Sequence, residues 1–277
     1  MELRAFTVAD ILDAAVECFW SKALYFISSA LIVQAPPLLA GSAYLKTLSF
    51  RSAVTFQNSL KELVSVLPFF FLSLCAYTLA KWIVTMPGRD LVTGEKGSFR
   101  GNLRALAGKL PSLALYSALL LCIAALFIAV PLLVAESLSS RKLAYNDAML
   151  AVLLALALSG AAALWFSVRS CLVIPAMVAE GRGFAGGLRR SWHLTGSMGA
   201  KALIVWISLH GLVIGTAVPL LSLFPLAGML YVAAFLPVTA LGELFLYYDS
   251  VVWQEAYDLV LCARSLQKGA VLPDGGI

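Results

Sequence analysis

Six stretches of this chain are apolar over 20 or more residues: about 23–45, 63–86, 110–135, 148–171, 201–221 and 226–248. A helix rises about 1.5 Å per residue, so each can cross a hydrocarbon layer of about 30 Å. Lipid offers no hydrogen bonds, so a crossing segment must satisfy its backbone internally, which a helix does. The pattern predicts an all-α fold, a polytopic membrane helical bundle of about six transmembrane helices. Composition agrees: 61% of the 277 residues are hydrophobic and 13% charged, where soluble domains carry about a quarter charged. The expected organisation is one membrane domain over 1–267, with an amphipathic N-terminal helix (1–22), the six spans (23–248) and an amphipathic C-terminal helix (249–267), followed by a disordered tail at 268–277.

Two short segments carry helical amphipathicity of another kind. In TVADILDAAVECFW (7–20), Val8, Ile11, Leu12, Ala15 and Phe19 share a face, and Asp10, Asp13 and Glu17 lie mostly opposite. Thr7 is positioned as its N-cap. Between the fourth and fifth spans, the apolar run ends at Pro175 and a Glu-Gly-Arg-Gly elbow (180–183) follows. Phe184, Leu188 and Trp192 then recur at spacings of four, with Arg189 and Arg190 toward the polar side. Both segments are expected to lie in the membrane surface. Pro36 and Pro37 should kink or end the regular part of the first span.

The formal charge is +5, but the positive residues sit beside the spans and form no stripe with aromatic readers. Nucleic acid is therefore not an expected partner. Arg89, Lys96, Arg100, Arg104 and Lys109 fall between spans two and three, and Arg169, Arg182, Arg189, Arg190 and Lys201 around the loop between spans four and five. The intervening loops on the other side hold half as many Lys and Arg. This bias predicts that both termini and both basic loops are cytoplasmic, against anionic lipid. The acidic start lacks the basic region of a cleaved signal, so insertion through an uncleaved first span is expected. Five cysteines with no CxxC pair read as small buried reduced thiols.

Shifting the chain by 85 residues aligns the two basic loops. Glu95 meets Glu180, Phe99 meets Phe184, Gly101 meets Gly186, Leu103 meets Leu188 and Arg104 meets Arg189. AVPLL occurs at 129–133 and again at 217–221, near the same offset. The reading is an internal parallel repeat of span, basic elbow, surface helix and span.

Arg169, Pro175, Glu180-Gly181, Leu188-Arg-Arg-Ser-Trp192 and Leu194-Thr195 form one motif. Tyr247-Tyr248-Asp249, Glu255 and Tyr257-Asp258-Leu259 form another. Together they resemble the membrane domain associated with bacterial glycerophosphoryl diester phosphodiesterases and related stand-alone inner-membrane proteins of poorly defined function. The likeness covers most of the chain. It departs in the tail, where Val251 and Trp253 stand at the positions of a usual Arg-x-Arg pair. The resemblance implies no catalysis here, because the phosphodiesterase chemistry belongs to a separate soluble barrel.

Each candidate residue has a structural and a functional reading. Glu180 caps the surface helix, pairs with Arg182 or Arg189, or meets a lipid headgroup. Arg169 snorkels or bonds exposed carbonyls, or holds an anion. Arg100, Arg104, Arg189 and Arg190 are candidate lipid-headgroup contacts. Trp192 and Asp249 are motif residues. Glu243 lies within the sixth span, where a carboxylate costs about 2.5–3.5 kcal/mol, and calls for Lys81 or Arg169 as partner. Lys81 itself reads as close enough to a helix end to snorkel. His210 precedes a Gly211/Gly215 GxxxG, the usual sign of close helix packing. No GxSxG, P-loop or HExxH occurs, and no cofactor is expected. The expectation is a non-catalytic scaffold or anchor for a partner protein or anionic lipid, with homo-oligomerisation possible. The alternative is a transporter for a small or lipid-like molecule, using a polar cavity near Gln34, His210 and Glu243.

Overall fold

The computed structural model describes residues 6–47, 56–94, 99–139, 145–223 and 225–269, all helical or in short turns, with no strand among them. In order the helices are α1 (Val8–Ser21), α2 (Ala23–Thr47), α3 (Phe56–Thr93), α4 (Phe99–Ser139), α5 (Tyr145–Ser170), α6 (Val173–Ala179), α7 (Phe184–Ser197), α8 (Gly199–Trp206), a π turn (Ile207–Gly211), α9 (Leu212–Leu223) and α10 (Pro225–Gly269). Five of the described helical stretches are long and apolar enough to cross a membrane. The pair α1 and α2, bent by 87° at Lys22, makes a sixth if it counts as one span. The chain is thus an all-α, multi-pass membrane protein.

Burial sorts the helices. In α10, 65% of the apolar window is buried, whereas the windows of α4 and α5 are 6% and 0% buried. α10 is therefore the central post, and α4 and α5 turn Leu115, Leu126, Leu154 and Leu158 outward. Such a continuous apolar exterior suits lipid. The core gathers toward the α6–α7 end. Phe26, Ala80, Val84, Leu172, Leu209, Leu241 and Leu244 form one cluster, and Trp82, Leu106, Tyr116, Ile174 and Met177 form a second beside it.

Several boundaries differ from the sequence reading. α2 runs through Pro36 and Pro37 to Thr47. Most of the expected basic loop at 87–109 is helical, because α3 continues past Pro87 to Thr93 and α4 begins at Phe99. The apolar run does not end at Pro175. That residue sits in the first turn of α6, where a helix has no N–H to lose, and the helix goes on to Ala179. The sixth span and the C-terminal helix are one element, α10. The expected tail lies outside the described residues, apart from Lys268 and Gly269, which continue α10. Cys18, Cys75, Cys122 and Cys171 are free thiols. Cys122 is exposed on the outer face rather than buried, and Cys171 is buried.

Thr7 caps α1 as expected. Its hydroxyl accepts from Asp10 N, and the Asp10 carboxylate accepts from Thr7 N in a reciprocal capping box. Ile11, Ala15 and Phe19 are buried and Asp13 and Glu17 are exposed. Leu12, Val16, Phe19 and Trp20 share an apolar groove with Leu209, Phe235 and Val238. Since Phe6 is tied to Asp249, α1 leans along α10 rather than lying across its end.

The two elbows of the sequence repeat are built alike, though their glycines stand two positions out of register at the 85-residue shift. Gly94 and Gly181, with φ of 72° and 66°, follow α3 and α6 in the left-handed conformation that closes a helix. The matched Phe99 and Phe184 are then each the first residue of a helix. The copies diverge afterwards: α4 runs unbroken into its span, whereas α7 and α8 are separated at Met198.

Candidate functional site

Two polar centres sit at the α6–α7 end of the bundle. The deeper one joins α3, α10 and the π turn. Lys81 Nζ donates to Glu243 Oε1 at 2.6 Å, with both side chains almost fully buried. The ammonium also lies 4.9 Å from the centroid of the Tyr77 ring. Of the two expected partners for Glu243, Lys81 is the one used. Snorkelling is overturned, since α3 continues three turns beyond Lys81 and the bundle closes around it. His210 Nε2 stands 3.4 Å from the same Oε1, and its ring stacks on Trp206 at 4.6 Å. His210 Nδ1 lies 3.2 Å from Trp206 O. Both facing oxygens, Trp206 O and Glu243 Oε1, are acceptors, so a neutral imidazole can donate to only one of them. The π turn adds a residue to the helix and swings His210 toward α10, a common device at functional positions.

Among the described residues, no other helix of the chain packs on Gly211 and Gly215. Gly211 is exposed, and a side chain on Gly215 would meet nothing within 4 Å. Close approach occurs elsewhere. A Cβ on Gly242 would come within 2.6 Å of Leu209 Cδ1, and one on Gly187 within 2.7 Å of Met177 Cγ and 3.2 Å of Val173 O.

The shallower centre is the elbow. Arg190 Nε donates to Glu180 Oε1 at 2.7 Å and Tyr247 Oη donates to the same oxygen at 2.5 Å, while Arg182 pairs with Oε2. Burial works against the carboxylate, but the hydrogen bonds from Tyr247 and Arg190 and the charges of Arg190 and Arg182 outweigh it. The Glu180 carboxyl is held below its ordinary range. The same contacts hold Arg190 more firmly protonated against its own desolvation. Lys109 Nζ donates to the carbonyls of Gly181 (2.6 Å) and Arg182 (3.1 Å), fastening α4 to the loop. Glu180 thus pairs with Arg182 as one expectation had it, but with Arg190 in place of Arg189. It does not cap α7, whose N-cap is Gly183 without a side-chain bond. Arg190 points inward to Glu180, which removes it from the freely exposed set.

The face of α7 that is most buried also differs. Gly187, Ser191, Leu194 and Thr195 face inward, and Phe184, Leu188 and Trp192 form the half-buried flank. Small residues allow α7 to settle on α6, and Ser191 Oγ donates to Arg169 O at 2.6 Å.

Arg169 occupies the last turn of α5. Its Nη1 donates to Trp192 O at 3.2 Å, a carbonyl contact of the expected kind, and its guanidinium stacks 5.6 Å from the Trp165 ring centroid. Trp165 and Phe166 meet the Trp192 ring edgewise at 5.5 and 5.2 Å. Trp192 Nε1 is buried without an acceptor. Asp249 receives Phe6 N at 2.9 Å and Lys201 Nζ at 2.6 Å, and Lys201 also donates to Phe6 O. One carboxylate thereby ties the start of the chain, the head of α8 and the middle of α10.

Arg104 and Arg189 are exposed and make no ion pair among the described residues. The Arg100 side chain lies outside the described set. Sequence reasoning missed Lys201, Lys109 and Tyr77 as contributors. A lone lysine at the head of an apolar run was the available signal for Lys201. No family model, curated protein or solved structure matches the chain.

Proposed function

We propose that this is a non-catalytic membrane anchor whose basic elbow face, on the cytoplasmic side of a bacterial inner membrane, engages anionic phospholipid or a partner protein. The observation that carries this reading is a division of labour among the charged residues. Glu180, Arg190 and Lys109 are taken up in contacts that fasten the elbow, and Lys201 and Asp249 in one that ties α8 to α10, while Arg104 and Arg189 stay outside with Arg182 half-exposed. A stiff support with outward cations suits attraction to a charged leaflet, at about 1 kcal/mol per residue near the surface. The likeness of its Glu-Gly and Leu-Arg-Arg-Ser-Trp motifs to the membrane domain named above supports the same reading, as does the placement of both basic loops by charge bias. The test is binding of the purified chain to nanodiscs with and without phosphatidylglycerol. R104Q/R189Q should lose most of the salt-sensitive preference for the anionic lipid; equal binding by both proteins would sink the reading.

A second reading, transport, is favoured by one observation: a lysine, a glutamate and a histidine meet inside the spans. Gln34 is buried, but neither it nor His210 nor Glu243 lines the apolar grooves between the helices. Proton uptake by liposomes carrying the protein, driven by a pH gradient and lost in E243Q, would favour transport over anchoring.

A further inference from the structure

Arg169 lies within the apolar window Asn146–Ala179, yet no carboxylate meets it among the described residues. A guanidinium carries five N–H donors, and among the described residues Trp192 O is the one acceptor that it meets. Leaving such a charge without a counter-charge in a span is costly. Beside it, Trp192 Nε1 is a second donor, buried without an acceptor. A guanidinium with one carbonyl and no carboxylate, next to an indole N–H without an acceptor and walled by the Trp165 ring, defines a place for an anion. Gly196 keeps the place open, because a Cβ there would stand 3.2 Å from Arg169 Nη1.

The surroundings say which anion. An apolar groove of about 470 Å³ runs between α4 and α5, lined by Leu126, Phe127, Leu158, Ala162 and Phe166 among others. On α5 the residues 158, 162, 166 and 169 follow the spacing of one helix face, so the groove runs along that face and stops at Phe166, about one turn short of Arg169. Phe166 closes its upper end and touches the Trp192 ring. An apolar trough whose end lies about one helical turn from a guanidinium with no carboxylate has the polarity of a phospholipid.

We infer that Arg169 binds the phosphodiester of one membrane phospholipid, with Trp192 as second donor and Trp165 as a wall, and that an acyl chain of the same lipid fills the α4–α5 groove. This site is separate from the exposed Arg104 and Arg189, though it rests on the same reading of the protein as a binder of anionic lipid. It holds one lipid through geometry, whereas the outer cations gather several through charge.

Native mass spectrometry of the full chain in detergent, titrated with phosphatidylglycerol, tests it. One lipid should remain bound at high salt. R169Q should weaken that lipid about tenfold, as expected for losing charged hydrogen bonds, and A162F, which fills the groove from the lipid-facing side and leaves the core untouched, should weaken it comparably. R169K should restore part of the affinity. R104Q/R189Q should remove only the additional, salt-sensitive lipids. Retention of the tight lipid by A162F and by a folded R169Q overturns the site, even while loss of the salt-sensitive lipids in R104Q/R189Q leaves the anchor reading standing. Displacement of the tight lipid by millimolar inorganic phosphate, with A162F silent, overturns it as well, since the anion alone would then suffice.

Discussion

Lys81 and Glu243, 162 positions apart in sequence, meet at 2.6 Å in the buried interior and link α3 to the central helix α10. Removing one member strands the other. K81M should lower stability by roughly 3–5 kcal/mol, while the double variant K81M/E243L should recover most of the loss, because an apolar pair avoids the desolvation of both charges. Thermal unfolding in one detergent compares them; a double variant no better than K81M would show that the pair contributes more than charge balance.

The elbow should respond to acid. The folded-state carboxyl of Glu180 is lowered, so its contribution to stability is present above the unfolded carboxylate range, about pH 4.3, and is lost as pH falls through the folded value. E180Q should remove roughly 1–3 kcal/mol at neutral pH and flatten the acid limb of the stability profile below about pH 4. An unchanged acid limb in E180Q would place that response on another group.

Asp249 holds the chain start through Phe6 N and Lys201. D249N should leave Lys201 short of its counter-charge and speed amide exchange over residues 6–12, with K201M giving a similar pattern. Hydrogen exchange followed peptide by peptide reads this directly, and slow exchange at 6–12 in both variants would contradict the tie.

Two glycines should behave oppositely. G187A drives a methyl against Met177 and the Val173 carbonyl and should cost about 1–3 kcal/mol through overpacking. G215A meets open space and should be neutral or stabilise by up to about 1 kcal/mol, since alanine favours the helix. Unfolding of the two single variants decides between them.

Much of this fold is legible in the sequence because lipid imposes a simple rule: long apolar runs become helices, and their limits follow hydropathy. Thr7 as a cap, the surface exposure of Arg189 and the demand of Glu243 for a cation follow from similarly local arguments. What escaped reading depends on distance in the fold. Lys81 looks like a residue near a helix end until α3 is seen to continue to Thr93. Arg190 and Arg189 are equivalent as neighbouring arginines, and only the position of Tyr247 on α10 selects Arg190 for Glu180. The GxxxG at Gly211 meets no described helix of its own chain for the same reason: a spacing says which residues share a face, not which helix comes to it.

α10 extends from Pro225 to Gly269 without a break, a rod of about 67 Å. Glu243, Tyr247 and Asp249 are rungs on it, in contact with the ion cluster, the elbow and the chain start in turn. A force applied along this rod is therefore felt at all three fastenings together, as on a lever whose fulcrum is the elbow.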